Sequence, residues 1–450
     1  MESVVSFIGL LFLLLIAWVI GGCKRPISWR LVISGCVLQF AVALLLLNES
    51  VRRPVFEVSG DFADLIAGCS AAGADFVFGL NGLPADASAG VTRRSLLATF
   101  AFGVLPTVIF FSSLMSVLYY IGVMQWVVRG VSRVMQKSLG TTGAETLAAS
   151  ANIFVGQTEA PLVVKPYIAT MHRSELNAMM VGGFASVAGS LLLAYSSYGV
   201  EIGHLLIASF ISAPASLVIA KLIEPMPIAA LGAAEAADLA VSSTGSTAAL
   251  PSAETTQPLV SPEQHQPINL IDAAATGAAD GLKMALNIAA MLIAFLALIA
   301  LVNAALAAVA TPFGFVDGSG QTTLTLQRIL GYCFAPMAFM IGIPWGESLA
   351  AGELLGLKVV ANEFLAYERL GAMIHGEERL SPRTVTLMTY ALCGFANLSS
   401  IGIQIGGISA LAPERRSDIA SLGFRAMIGG LLACNMTACV VGILPLESLS

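Results

Sequence analysis

The sequence predicts an all-α, polytopic membrane protein, and three observations support this fold class. Of the 450 residues, 57% are hydrophobic and 11% are charged, whereas a soluble domain carries about 25% charged residues. The mean hydropathy is +0.84. The chain also has 43 glycines, and small residues let membrane helices pack closely. With 22 basic and 28 acidic residues, it has no basic surface for nucleic acid, and its hydrophobicity excludes disorder.

Eight uncharged runs are long enough to cross about 30 Å of hydrocarbon as helices. They lie at 4–20, 29–47, 97–122, 176–200, 203–220, 284–311, 384–411 and 426–446. The first run has Glu2 before it and Lys24-Arg25 after it, whereas a signal peptide has its basic residues first. We therefore expect a retained first span with both termini of the chain outside, because short basic loops stay in the cytoplasm.

Segment 48–95 is too polar to be a span. Between Phe62 and Phe78 its apolar residues recur at roughly helical spacing, with Asp64 and Asp75 among the acidic residues on the opposite side. This pattern favours a helix lying at the membrane interface, followed by an exposed loop. A plain surface loop is the alternative.

Segment 124–137 carries Arg129, Arg133 and Lys137 at intervals of four residues. That spacing puts the charges on one helical face and predicts a basic amphipathic helix on the cytoplasmic surface. The alternative is a solvated end of the preceding span. Segment 226–270 is rich in Ala, Ser, Thr and Pro and has no Lys or Arg, which is typical of a flexible linker.

Two apolar stretches are interrupted too soon to be simple spans. Leu139 to Asn152 would be only about 21 Å long as a helix, and it then meets the polar run Gly156–Pro161. Cys333–Ile343 is also too short, and it meets Pro344–Ser348. Each stretch predicts a re-entrant helical hairpin with a polar tip.

The order of a hairpin followed by two spans occurs twice, as in the inverted repeats of secondary transporters. The predicted segments are the first two spans (1–47), the interfacial helix and exposed loop (48–95), the third span and basic helix (96–137), the first repeat (138–223), the cytoplasmic linker (224–270), the sixth span with its flanks (271–327), and the second repeat with its broken span (328–450).

Polar groups inside membrane runs are costly and mark functional sites. Gln157, Thr158 and Glu159 lie at the first predicted tip. An amide beside a carboxylate supplies both donors and acceptors, which suits the edge of a neutral heterocyclic base. Alternatively, Glu159 only caps the half-helix that Pro161 begins.

Asn152 lies one turn before this tip, and Ser186 lies inside the next span. Neutral side-chain oxygens, together with free carbonyls at broken helix ends, can bind a small hard cation such as sodium. Hydrogen bonding between helices is the alternative role.

In the second half, Glu363 lies in the outgoing limb of the predicted hairpin, and the run 394–400 interrupts an apolar span. A carboxylate can accept hydrogen bonds from the two hydroxyls of a sugar diol. Asn397 and Ser400 share a face if the run is helical, and Gly394 would allow unwinding. The alternatives are a solvated helix face for Glu363 and a polar packing seam for the other two residues.

Cofactor and enzyme chemistry lack a sequence signal. The seven cysteines and four histidines are scattered, and no pair has the spacing of metal ligands. The chain has neither an HExxH motif nor a Ser/Lys arrangement. We therefore expect no cofactor and no enzyme activity.

The motifs at these breaks resemble the signatures of concentrative nucleoside transporters. The run Asn152–Pro161 resembles the first of them, and Asn362–Phe364 and Phe395–Gly402 resemble two more. Phe76–Gly79 and Ala290–Phe295 also fit the family pattern. The resemblance extends over nearly the whole chain except 81–95 and 226–268.

The resemblance implies a homotrimer of eight-span protomers in a bacterial inner membrane. Each protomer would import nucleosides by symport with sodium or protons, through an elevator-like movement. By position, the nucleobase would face Gln157, Thr158, Glu159 and Leu191, the ribose Glu363, Phe395, Asn397 and Ser400, and sodium Asn152, Val155, Ser186 and Val187. A passive nucleoside channel, or a symporter of the same fold for another small polar solute, is the alternative.

Overall fold

The computed structural model describes residues 2–23, 27–80, 92–97, 99–227, 267–311, 324–376 and 379–445. Within these ranges the regular structure is entirely helical, with no strand, and the predicted all-α class is confirmed. Most of the predicted linker and of the loop after the interfacial helix lie outside the described residues.

Nineteen α-helices follow one another along the described chain. They are α1 (Glu2–Ile20), α2 (Trp29–Leu47), α3 (Glu49–Phe78), α4 (Arg93–Leu97), α5 (Leu105–Tyr120), α6 (Val123–Leu139), α7 (Gly143–Ala151), α8 (Ala160–Val163), α9 (Lys165–Ile168), α10 (Arg173–Phe184), α11 (Gly189–Ser196), α12 (Ile202–Ile223), α13 (Leu270–Ala310), α14 (Leu326–Ile341), α15 (Trp345–Val360), α16 (Glu363–His375), α17 (Pro382–Leu392), α18 (Leu398–Leu411) and α19 (Arg416–Ile443). A π-helical turn, Phe100–Val104, precedes α5, and a 3₁₀ turn, Pro413–Arg415, precedes α19.

Seven helical stretches in the described chain are long and apolar enough to cross a membrane. They are α1, α2, the π-helical turn with α5, α10 with α11, α12, α13, and the 3₁₀ turn with α19. The remaining predicted span, 384–411, is the broken pair α17 and α18. Helix α13 has 41 residues, or about 60 Å, so it extends well beyond the hydrocarbon.

The predicted interfacial helix is present and longer than expected. It forms the second half of α3, which begins at the capping residue Asn48 and ends at Gly79 (φ 66°). Arg93 donates three hydrogen bonds of 2.7–3.1 Å to Asp75 near the end of α3, and these bonds lower the pKa of that carboxyl. A plain surface loop is therefore excluded for this stretch.

The basic amphipathic helix is α6. Met124, Val128 and Met135 on one face are buried, whereas Arg129, Arg133 and Lys137 are exposed. Gly122 lies between α5 and α6 and has a φ of 88°. A right-handed helix cannot continue through this conformation, which glycine adopts more readily than other residues. The helix is therefore an element of its own and not the end of the preceding span.

The first hairpin matches its prediction, since α7 and the pair α8–α9 flank a tip at residues 152–159. The second half of the chain breaks twice where one break was expected. Helices α14 and α15 meet at 117° around residues 342–344, and a further break at Ala361–Asn362 separates α15 from α16.

The hydrogen bonds of the two repeats identify which break is the second tip. Thr142, before α7, donates to Glu175 at the start of α10 (2.6 Å). In the second half, Ser381, before α17, donates to Glu347 at the start of α15 (2.8 Å). Helix α15 thus corresponds to α7, and the hairpin consists of α15 and α16. The second tip therefore lies at Ala361–Asn362, and the predicted position at Pro344–Ser348 is wrong. Glu363 begins the outgoing limb of this hairpin.

Two interrupted spans cross next to the hairpin tips. The break at residues 393–397 was predicted, whereas the break at 185–188 was not. The Phe395 amide donates to the Ser186 carbonyl across the crossing (3.2 Å). A Cβ added at Gly394 would lie 2.4 Å from Cys434 Sγ and 2.7 Å from the Phe184 carbonyl oxygen. Glycine is therefore required at this point by close packing.

We expect Gly394→Ala to lower the free energy of unfolding by about 1–3 kcal/mol, the usual penalty for overpacking a close-packed interior. Thermal unfolding of the purified protein in detergent measures the change. Gly402→Ala is the matched control, because nothing lies within 4 Å of a Cβ added there. Equal melting temperatures for the two variants would contradict the packing argument.

Candidate functional site

A chain of hydrogen bonds connects the first hairpin tip to the second. Gln157 Nε2 donates to Ser400 Oγ (3.1 Å), and the Ser400 amide donates to Asn397 Oδ1 (2.9 Å). Asn397 Nδ2 then donates to Glu363 Oε2 (3.1 Å). These four residues belong to the predicted site, and all are at least nine-tenths buried. The fold thus brings together residues from both tips and from the break before α18.

The Glu363 carboxylate accepts hydrogen bonds from side chains on two other elements, α11 and the break before α18. Tyr195 Oη of α11 donates to its other carboxylate oxygen, Oε1 (3.1 Å). Asn362 caps α16, the helix that Glu363 begins, by accepting from the Leu365 amide (2.9 Å). The carboxylate at the first position of α16 lies where the helix dipole stabilises negative charge. Glu363 is 4% exposed, so the proposed alternative of a solvated helix face is wrong.

Gln157 is positioned by a residue that the sequence analysis missed. Gln404 Nε2 of α18 donates both to Gln157 Oε1 and to the Met180 carbonyl, each at 3.1 Å. Ser400 and Gln404 lie one helical turn apart and therefore share a face of α18. Two polar residues on one face of an apolar run are the sequence pattern that could have identified Gln404. Tyr195 was also missed, and nothing in its local sequence distinguishes it from a packing tyrosine.

Within the described ranges, the side chains of the other four predicted binding residues take no part in this chain of hydrogen bonds. Leu191 is 2% exposed and Phe395 is 9% exposed, so both present apolar surface in the interior. Thr158 lies against α18, since a Cβ added at Gly407 would be 3.3 Å from Thr158 Cγ2. Glu159 instead lines a cavity of about 240 Å³ between the first tip, α5 and α13, together with Tyr119 and Asp280.

The predicted cation ligands lie between the first tip and the break in the first repeat. Asn152 is 2% exposed, and neither of its amide atoms has a hydrogen-bond partner in the described part of the chain. Its Nδ2 would lie 3.0 Å from a Cβ at Gly182, and the Ser186 hydroxyl donates to the Gly182 carbonyl (2.9 Å).

An unpartnered buried amide is costly unless something binds it. A small hard cation accepts neutral oxygen ligands of this kind, so the residues present fit sodium. The backbone carbonyls predicted as further ligands belong to Val155 at the tip and Val187 in the break. Both valines are buried outside helices, where backbone carbonyls are not committed to a helix ladder.

Buried charges anchor the base of the first hairpin. Lys221 of α12 forms an ion pair of 2.5 Å with Glu145 of α7, and both side chains are less than a tenth exposed. Lys221 also donates to Ser174 of α10 (3.1 Å). Arg415 Nη1 donates to three carbonyls at the end of the outgoing limb, including that of Met171 (2.7 Å). These contacts attach both limbs of the first hairpin to other elements, the incoming limb to α12 and the outgoing limb to the 3₁₀ turn before α19.

Three protein-family models match the chain in succession. The first is described as the N-terminus of Na⁺ dependent nucleoside transporters and matches residues 8–81. The second is described as Gate, nucleoside recognition, and matches 101–201. The third is described as the C-terminus of Na⁺ dependent nucleoside transporters and matches 204–442.

Individual relatives match over the same length. Solute carrier family 28 member 3 of Eptatretus stoutii is 39% identical over the whole chain, which spans 61% of that relative. An uncharacterized transporter of Haemophilus influenzae is 40% identical, with 98% of each chain covered.

The fold is similar to that of CNTnw. An inward-facing substrate-bound state of that protein matches with a TM-score of 0.83 at 40% identity, covering 98% of each chain. A doubly substituted CNTnw in an outward-facing state matches with a TM-score of 0.85 at 40% identity, covering 98% of this chain and 97% of that one.

Proposed function

Because the chain belongs to the Na⁺-dependent nucleoside transporter family, we propose that it imports nucleosides by symport with a cation. It is a multi-pass membrane protein and not an enzyme. The observation that carries the proposal is the buried hydrogen-bond chain from Gln157 through Ser400 and Asn397 to Glu363. This chain of bonds joins the Gln157 amide, which suits the edge of a nucleobase, to the Glu363 carboxylate, which suits the ribose diol.

A bound nucleoside replaces hydrogen bonds that the site makes with itself. The Gln157 amide has one donor bonded to Ser400 and its acceptor bonded to Gln404, and a base edge can exchange with both. The Glu363 carboxylate accepts from Tyr195 and Asn397 and retains lone pairs for ribose hydroxyls. Leu191 and Phe395 supply apolar walls, and Thr158 completes the base side at the tip. Glu159 approaches the base from the adjoining cavity between the tip, α5 and α13.

We propose sodium as the coupling ion, held by Asn152 and Ser186 with the carbonyls of Val155 and Val187; protons are the alternative. Asn152 begins the tip that carries Gln157, so a cation bound there orders the base-binding residues. Coupling then requires that ion and nucleoside each bind more tightly when the other is present.

We further propose an elevator-like movement within a homotrimer of the bacterial inner membrane, with both termini outside. Helices α5 and α13 are in backbone contact, since a Cβ added at Gly277 would lie 2.7 Å from the Ser112 carbonyl oxygen. Two helices packed this closely are suited to the part of the protomer that stays fixed during the elevator-like movement. On α13, Ile293 and Leu301 are 73% and 66% exposed, and this apolar surface fits either lipid or a second protomer.

Uptake of labelled uridine into proteoliposomes tests the proposal. An imposed sodium gradient is expected to drive accumulation above the external concentration, and an imposed pH gradient in sodium-free buffer tests the proton alternative. Equilibration without accumulation under either gradient would identify a passive facilitator. Accumulation of another polar solute with no competition by nucleosides would identify a different substrate.

A further inference from the structure

A lysine lies completely buried beside the second hairpin tip. Lys358, in the last turn of α15, is 0% exposed. Its Nζ donates to the carbonyl of Ala391, in the last turn of α17 (2.9 Å). The lysine therefore links the incoming limb of the hairpin to the end of the helix that precedes the Gly394 break.

Lys358 lies across the second tip from the proposed ribose-binding carboxylate. Both residues are at least nine-tenths buried, with Lys358 before and Glu363 after the tip Ala361–Asn362. Lys358 is at the carboxyl end of one helix, and Glu363 is at the amino end of the next. Each helix dipole stabilises the charge placed there. An isolated buried ammonium is strongly destabilising, so the carboxylate across the tip explains how the lysine is retained.

The other titratable groups near Lys358 and Glu363 do not provide a counter-charge at neutral pH. They are the thiols of Cys393 and Cys434 near Lys358, and the phenols of Tyr195 and Tyr367 near Glu363. Thiols and phenols ordinarily ionise well above pH 7. Among the described residues of this cluster, Lys358 and Glu363 are thus the complementary charged pair.

We propose that Lys358 is a positioning residue that keeps Glu363 an ionised acceptor for the ribose hydroxyls. It does so through its charge, and it ties the second tip to α17 through the bond to Ala391. This inference rests on the proposed function, because it concerns the same binding site. Intramembrane lysines that face a carboxylate are a recognised mark of functional sites.

Uridine binding to the purified protein in detergent, measured calorimetrically at saturating sodium from pH 5 to pH 8, tests the proposal. Lys358→Met is expected to weaken binding at pH 7 at least about tenfold, because the carboxylate loses its compensating charge. The acid limb of its binding profile should also move to higher pH, since protonation of Glu363 is no longer opposed. Lys358→Arg should keep the limb where the unmodified protein has it.

The matched control is Lys137→Met, which removes an exposed lysine of α6 and should bind like the unmodified protein. A thermal-unfolding cycle provides a second readout. Lys358→Met alone should melt well below the unmodified protein, and adding Glu363→Gln should recover part of the loss, because the double variant leaves no uncompensated charge.

Wild-type affinity and an unmoved pH profile in Lys358→Met would overturn the positioning role. If Lys358→Met does not fold, failure of Glu363→Gln to restore folded protein would overturn it as well. If the unmodified protein itself does not bind uridine or any other nucleoside, the proposed function fails instead, so the two failures are distinguishable.

Discussion

Glu363→Gln is expected to reduce sodium-driven uridine uptake at least about 100-fold. The variant remains folded but melts at a lower temperature, because Lys358 loses its compensating charge. The substitution keeps the shape of the side chain but replaces an acceptor oxygen by a donor. Two hydrogen bonds from ribose hydroxyls to a carboxylate contribute about 1.5–3 kcal/mol each, and about 1.4 kcal/mol corresponds to a tenfold change in affinity. Initial uptake rates in proteoliposomes, together with size-exclusion profiles, measure the effect.

Asn397→Ala should give a comparable loss, because Asn397 donates to Glu363 and also caps α18. The matched control is Glu347→Gln, the same substitution at the base of the same hairpin. An amide there can still accept from Ser381, so uptake should stay close to that of the unmodified protein. Near-normal uptake in both Glu363→Gln and Asn397→Ala would refute the assignment of the ribose site.

Asn152→Ala is expected to raise the sodium concentration for half-maximal uptake at least about tenfold. The amide oxygen of Asn152 is buried without a partner, so its removal deletes a cation ligand and disturbs little else. Loss of one good ligand is worth more than about 1.4 kcal/mol, or a factor of ten. Uptake measured against sodium concentration, at fixed uridine, gives the value.

The control for this variant is Asn435→Ala in α19. Asn435 is also fully buried with an unpartnered amide oxygen, but it is not among the proposed ligands. Its sodium dependence should therefore be unchanged. If Asn152→Ala keeps the sodium dependence of the unmodified protein, or if a pH gradient alone drives uptake, the sodium site is refuted.

The part of the fold that was predictable depends on local signals. Spans are recognised by their length and hydropathy, and α6 by the periodic spacing of its basic residues. The second tip was predicted at the wrong position because that prediction also depended on local signals. Pro344 and Gly346 are strong local break signals, whereas the break at Ala361–Asn362 contains neither proline nor glycine. It exists because Asn362 caps α16 and because Glu363 finds partners on other helices.

The interruption of the first repeat at residues 185–188 could not be predicted for a similar reason. Its residues, Ala185 to Ala188, are compatible with a continuous apolar helix. The unwound conformation is stabilised by contacts from elsewhere in the chain, including the bond from the Phe395 amide to the Ser186 carbonyl. A break stabilised by a partner some 200 residues away has no local signature.

The sequence by itself determined the membrane class, the position of most spans and the polar residues that interrupt them. These are properties of short segments, because hydropathy and helix breaking act over one or two turns. Only the tertiary structure decided which polar residues meet. Gln157 and Ser400 are 243 positions apart, and Tyr195 and Glu363 are 168 apart. The pairing of such distant groups results from the packing of two repeats against each other, which places both hairpin tips and both broken spans in one buried site.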